Sequence, residues 1–251
     1  MRFRIFSLFL VIGVFMTSAS WGQVNLLNSP HNLSVTSPAD IHATVDDGTG
    51  SDEVCVFCHT PHNAGNQAIG PLWNRNYDPA VGGAWTFYDS ATHDAGPATL
   101  ATLGGQSLAC LSCHDGTLAF DALVNAPGPG VGSTATWAMD DSGTGKMAPA
   151  GTFAAAAWAN LGRDLSNDHP VGIDYDAALL ADGVGPGSGG FLAKASLLDV
   201  QLYTHPVTGL DQVECASCHN PHDWDGPLDN TRMFLRADTA ASAICLRCHA
   251  K

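Results

Sequence analysis

The sequence "CVFCHTPHN", Cys55–Asn63, returns 160 residues later in nearly the same form as "CASCHNPHD", Cys215–Asp223. In both copies, two cysteines separated by two residues are followed directly by a histidine. A proline and a second histidine then follow, one residue further on. A pattern repeated at this length within one chain indicates two related structural units.

Every cysteine in the chain obeys the same spacing. The 251 residues contain eight cysteines, which form the pairs Cys55/Cys58, Cys110/Cys113, Cys215/Cys218 and Cys245/Cys248. Each pair is followed directly by a histidine, and these are His59, His114, His219 and His249. Cys-x-x-Cys-His is the attachment motif of c-type haem. Because the four motifs use all the cysteines, the sequence predicts four covalently attached haems, here numbered one to four in chain order, and no disulfides.

The spacing suits a porphyrin for a geometric reason. Residues i and i+3 lie on the same face of a helical turn, so both thiols can reach the two vinyl groups of one ring. The next residue is turned about 100° further round, where its imidazole can ligate the iron as the proximal ligand.

The second histidine of the opening motif predicts a distal ligand. Pro61 and Pro221 are expected to end the helical turn, so His62 and His222 should reach a neighbouring haem rather than their own. On this reasoning His62 serves the second haem and His222 the fourth. By the symmetry of the repeat, His31 in "SPHNLSV" and His169 in "NDHPVGIDY" then serve the first and third haems.

Three further histidines have weaker assignments. His205 in "THPVTG" resembles the context of His169 and competes with it for the same haem. His42 and His93 are interpreted as surface residues, with a ligand role as the alternative. Since there are seven histidines outside the motifs for four irons, methionine ligation is not required, and we expect low-potential haems with two histidine ligands.

The N-terminal residues predict export. Arg2 and Arg4 precede an apolar run, Ile5–Met16, and small and polar residues follow, which is the order of a secretory signal peptide with cleavage after Gly22. This run is shorter than the ~20 residues needed to span a bilayer, so no stable membrane insertion is expected. The net charge of −14 argues against binding nucleic acid or anionic membranes.

Composition predicts an irregular fold. Charged residues make up 14% of the chain, and there are 27 glycines and 14 prolines, so long helices and large sheets are disfavoured. We expect mostly coil with short α-helices and few strands, the porphyrins forming the core. After the signal peptide, residues 1–22, the motifs divide the chain into a first dihaem unit, 23–121, a Gly/Ala/Pro-rich joining region, 122–163, and a second dihaem unit, 164–251.

The motifs "CVFCHTPH" and "CASCHNPH", together with "SPHNLS" and "DHPVGIDY", resemble those of the doubled Cys-x-x-Cys-His cytochromes. More narrowly, they resemble the tetrahaem OmcE-type cytochromes that polymerise into extracellular nanowires. The resemblance implies a continuous porphyrin chain through each subunit and across the junction to the next. It also implies that one haem takes its distal histidine from the neighbouring subunit.

These observations predict an electron carrier, with itself as partner in a head-to-tail extracellular filament. Other redox proteins or extracellular electron acceptors would be further partners. His31 is the residue expected to cross the junction, because it lies near the mature N-terminus. The alternative is a monomeric periplasmic shuttle or an electron-transfer subunit of an oxidoreductase complex. An enzyme is not expected, because every motif ends in histidine and spare histidines can close each iron.

Overall fold

In the computed structural model of the protein, residues 26–45, 51–65, 68–93, 95, 98–126, 137–183, 190–224 and 233–250 are described. The predicted signal peptide, residues 1–22, lies outside the described residues. In the described part of the chain, no helix is both long and apolar enough to cross a membrane.

The helices are short. The α-helices are α1, Gly105–His114, α2, Tyr175–Asp182, and α3, Cys215–Cys218. Single turns of 3₁₀-helix occur at Leu26–Asn28, Val54–Phe57, Leu100–Thr102, Lys194–Ser196, Ala240–Ser242 and Cys245–Arg247.

Local chemistry explains where α1 and α2 begin. Helix α2 follows Asp174, whose carboxylate accepts hydrogen bonds from the backbone N–H groups of Asp176 and Ala177 and so caps the helix. Helix α1 begins at Gly105, where a Cβ would lie 2.3 Å from the carbonyl oxygen of Ala68. Only glycine allows α1 to start this close to the preceding loop.

The strands form three small sheets in the described residues. Strand β1, His42–Val45, pairs antiparallel with β3, Trp137–Asp140. Strand β2, Thr86–Phe87, pairs in parallel with β4, Asp164–Leu165. The third sheet has β7, Asp211–Val213, between β5, Ile173–Asp174, and β6, Tyr203–Thr204, with both pairings antiparallel.

The main hydrophobic cluster lies behind the second motif. Its buried members are Ile69, Trp73, Tyr77, Leu103, Leu111 and Leu165. Leu111 belongs to α1 and is fully buried, whereas Cys110 and Cys113 on the same helix are partly exposed. The cluster therefore fixes the inner face of α1 and leaves the thiols on another face.

The doubled motif seen in the sequence is also repeated in the backbone. After the first motif, a return segment, residues 71–75, runs back along it, and the N–H of Asn74 donates to the carbonyl of Cys58 at 2.9 Å. After the third motif, residues 233–237 do the same, and the N–H of Arg236 donates to the carbonyl of Cys218 at 2.8 Å. The predicted fold class, mostly coil with short helices and few strands, is confirmed.

Candidate haem-binding site

Each of the four motifs forms a helical turn. The second motif is the C-terminal part of α1, the third coincides with α3, and 3₁₀ turns hold the first and fourth. In three motifs the histidine N–H donates to the carbonyl of the first cysteine, at distances between 2.8 and 3.1 Å. Such turns place the two thiols of a motif on one side, as a porphyrin with two vinyl groups requires.

Three motif histidines are oriented by backbone carbonyls. Nδ1 of His59 lies 2.9 Å from the oxygen of Pro71, Nδ1 of His114 lies 2.7 Å from that of Ala159, and Nδ1 of His219 lies 2.6 Å from that of Met233. Because a carbonyl only accepts, each Nδ1 carries the proton and leaves the Nε2 lone pair free. Metal-bound histidines in proteins have this arrangement.

Histidine rings face one another in three pairs. The centroids are 6.1 Å apart for His59 and His222, and 6.1 Å for His31 and His114. For His169 and His249 the separation is 6.4 Å. A metal–nitrogen bond of about 2.0 Å on each side, with the ring centre lying behind the nitrogen, gives a similar separation. These residues therefore fit the two axial positions of an iron held between them.

The pairs differ from those predicted. The sequence assigned His31 to the first haem and His222 to the fourth, whereas the structure brings His31 to the second motif and His222 to the first. His169 lies beside the histidine of the fourth motif rather than the third. The prediction assigned each distal histidine to a motif near it in the sequence. In the structure, His222 of the second half of the chain instead lies beside His59 of the first half. In this chain the ring of His31 is stacked on that of Phe234, with the centroids 4.3 Å apart.

His62 and His219 are left without such a pair. Among the described residues, which include every histidine of the chain, neither ring faces a second imidazole at this separation. His62 is exposed, and its carbonyl accepts hydrogen bonds from Thr60 and Asn125.

Burial lowers the pKa of three of the paired histidines, His31, His114 and His222, and so favours their neutral form. It lowers the pKa of His31 to about 3, helped by the neighbouring charge of His114. The pKa values of His114 and His222 are also lowered, in both cases mainly by burial. A neutral imidazole is the form that ligates iron, so these side chains need not lose a proton before binding.

The four motifs lie next to one another in chain order. The charge of Cys113 helps to raise the pKa of Cys58 to about 12, although burial is the larger cause. A hydrogen bond with Cys215 raises the pKa of Cys110. Burial and then the charges of Cys215 and Cys245 raise the pKa of Cys218. The first, second, third and fourth motifs therefore form one continuous cluster.

The other histidines have different surroundings. His205 is buried, and its Nδ1 accepts from the N–H groups of Val207 and Thr208, which places the proton on Nε2 and makes His205 a poor ligand. His42 is partly buried and donates from Nδ1 to the carbonyl of Asp40 at 2.9 Å. The surface position expected for His93 is not found, because both of its ring nitrogens are buried and have no hydrogen-bond partner.

Sequence reasoning missed a buried carboxylate between the second and third motifs. Glu214 is 1% exposed and accepts hydrogen bonds from the N–H of Gly104, at 3.0 Å, and from the hydroxyl of Ser107. The same hydroxyl accepts from the N–H of Cys215 at 3.0 Å. This network joins α1 to α3. In the sequence, the Glu-x-x-Ser spacing of Glu214 and Ser217 indicates a capping box at the start of α3, but it does not predict the contact with α1.

Comparison with known families supports the haem assignment. Residues 205–251 match the family model described as the doubled CXXCH motif, a range that contains the third and fourth motifs. No curated protein matches the chain. The match supports a multihaem c-type cytochrome, a class of protein that transfers electrons.

Proposed function

We propose that the protein carries electrons along four haems attached at its four Cys-x-x-Cys-His motifs. The continuous cluster of motifs supports this proposal. Hydrogen bonds of Asn74 and Arg75 join the first motif to the second, and Ser107 of α1 joins the second to Cys215 of the third. His59, His114, His219 and His249 are the proximal ligands, and His222, His31 and His169 are the distal ligands of the first, second and fourth haems. The haem irons, when bound, supply the redox chemistry, while the chain orients the ligands and excludes water.

We further propose that the protein is exported and works as the repeating subunit of an extracellular filament. The observation that favours assembly is the unequal pairing of the histidines. Three motif histidines face a second imidazole within the chain, whereas His219 faces none among the described residues. A histidine of a second copy would complete this site, and the exposed His62 is the candidate donor. Such a head-to-tail contact propagates into a filament when its rotation does not close a ring.

The spin state of the third haem tests this assembly. Dilute monomers should contain one high-spin haem that binds carbon monoxide. Raising the protein concentration should convert it to the low-spin form as filaments appear in negative-stain micrographs. His62→Ala should keep that haem high-spin at every concentration. His42→Ala is the matched control and should behave like the wild type.

A monomeric periplasmic shuttle is the alternative function. It would hold the third haem between His219 and a distal ligand of the same chain, for which the unpaired His62 is the candidate. Four low-spin haems at all concentrations, with no filaments in extracellular material, would support the shuttle and contradict the filament.

A further inference from the structure

Arg75 is a fully buried cation that has no anionic partner among the described residues. Its exposure is 0%, and its guanidinium donates to the carbonyls of Phe120, Ser112 and Ala119 at 3.0, 3.2 and 2.7 Å. Within the described part of the chain, no carboxylate lies at ion-pair distance from it. Since burying an unpaired charge is strongly unfavourable, we expect an anion to bind beside Arg75.

The other described arginines do not share this property. Arg163 pairs with Asp115 at 3.0 Å, and Arg247 pairs with Asp199 at 2.7 Å. Arg236 is only half-buried and donates to the carbonyl of Ala216 and the hydroxyl of Tyr203. Arg75 is therefore the described arginine whose charge is both buried and unpaired.

A second unpaired donor lies two residues away. The Nε1–H of Trp73 and the Nε–H of Arg75 are both buried and have no acceptor. Trp73 forms a bridge with His59 and Arg75 forms one with Leu123, so the segment is extended here. Alternate residues of an extended segment project to the same side. Buried donors are nearly always paired, so each of these two N–H groups needs an acceptor. The Nε–H groups of Arg163 and Arg247 also have none, but both of those arginines have a carboxylate partner.

This donor pair lies between the first two motifs. The N–H of Asn74 donates to the carbonyl of Cys58, and Arg75 donates to Ser112, which stands between the two cysteines of the second motif. The charge of Arg75 also acts to lower the pKa of the Cys58 thiol. We therefore expect the anion beside Arg75 to belong to a haem attached at one of these two motifs.

We propose that Trp73 and Arg75 bind a propionate carboxylate of a haem in the first dihaem unit. A carboxylate supplies the missing charge, and it accepts hydrogen bonds from a guanidinium and an indole N–H at once. The proposal rests on haem attachment at the first two motifs and does not depend on filament assembly. It also has a redox consequence: reduction adds negative charge to the haem, so the nearby cation favours the reduced form and raises the potential.

The test is potentiometry of the holoprotein with Arg75→Gln, which keeps donors for the carbonyls and removes the charge. One or two of the four haems should shift to lower potential, with an unchanged number of attached haems and an unchanged low-spin spectrum. Trp73→Phe should shift the propionate bands in the resonance Raman spectrum. Lys146→Gln is the control, because Lys146 lies outside the four motifs, pairs with Asp40 and has a side chain that is 42% exposed, and it should leave all four potentials unchanged.

Unchanged potentials in an Arg75→Gln protein that carries all four haems would overturn the proposal. The role of Arg75 would then be structural, through its hydrogen bonds to the three backbone carbonyls. Should that variant fail to mature, Trp73→Phe decides, and propionate bands identical to the wild type would overturn the proposal. A wild-type protein without haem at the first two motifs would instead overturn the proposed function, and the intact mass separates the two cases.

Discussion

His222 faces His59 across a centroid distance of 6.1 Å, with the two ring planes 20° apart. His59 belongs to the first motif, whereas His222 follows the third motif, so the two halves of the chain meet at this pair. The first haem would therefore depend on a ligand from the second unit. The first unit expressed alone would therefore lack the distal ligand of its first haem.

Replacing His222 should open the iron of the first haem. With His222→Ala the proximal His59 remains, so the haem should stay attached while one iron per chain becomes high-spin and binds carbon monoxide. The measurement is the visible spectrum with and without carbon monoxide at a fixed haem count. His205→Ala is the control. The ring of His205 accepts hydrogen bonds from two backbone N–H groups, so this variant should leave all spin states unchanged. Equal carbon monoxide binding by wild type and His222→Ala would contradict the pairing.

The ring planes predict which low-spin signals each variant loses. The imidazoles of His59 and His222 are near parallel, at 20°, whereas those of His31 and His114 are inclined at 68°. Because the angle between axial imidazoles sets the anisotropy of a low-spin ferric iron, the electron paramagnetic resonance spectrum should contain both types. His222→Ala should remove the rhombic signal of the near-parallel pair, and His31→Ala a signal of high anisotropy. Loss of the same signal in both variants would contradict the assignment.

His31 should act within its own chain. Its ring lies against His114 and stacks on Phe234, so His31→Ala should have one more high-spin haem than the wild type, in monomers and in assembled material alike. Filament formation should persist, because the proposed junction uses His62 and His219. Microscopy and carbon monoxide titration of the same sample measure both outcomes. If His31→Ala instead disassembles the filaments, His31 crosses the junction between subunits, as its position near the mature N-terminus predicts.

The sequence predicted what depends on local spacing. Cys-x-x-Cys-His fixes a helical turn with two thiols on one side, and the low content of charged residues predicted the predominance of coil. Which distal histidine faces which motif could not be predicted in this way. His222 and His31 reach their partners because residues 233–237 and the third motif fold against the first unit, a long-range arrangement without a spacing rule. The sequence also could not predict that the carbonyls of Pro71, Ala159 and Met233 orient the motif histidines. Every residue has a backbone carbonyl, so no residue type marks these positions.

Intact mass should show four haems on the mature chain. The eight cysteines have no disulfide in the structure, so each pair is available for thioether bonds. The expected species begins at Gln23 and carries four haem masses. Replacing both Cys110 and Cys113 by alanine should remove one haem mass. Free thiols detected in the mature wild type would contradict this count.

Glu214 should make stability depend on pH. Burial raises the pKa of this carboxyl above its ordinary value of 4.5, although hydrogen bonds from Ser107 and Gly104 oppose the shift. A group with a raised folded-state pKa contributes stability that is fully present below its unfolded-state pKa. That contribution is lost as the pH rises through the folded-state value. Glu214→Gln, which is neutral at every pH, should therefore lack this decrease.

Denaturant unfolding of the holoprotein at several pH values measures this difference. The free energy of unfolding of the wild type should fall relative to Glu214→Gln as the pH rises above 4.5. Glu214→Ala should be less stable than either protein by about 1–3 kcal/mol, because it leaves the buried donors of Gly104 and Ser107 without an acceptor. Ser107→Ala in the Glu214→Ala background should cost less than it does alone, since the two side chains share one network. Parallel pH profiles for wild type and Glu214→Gln would show that the carboxyl does not change its protonation over this range.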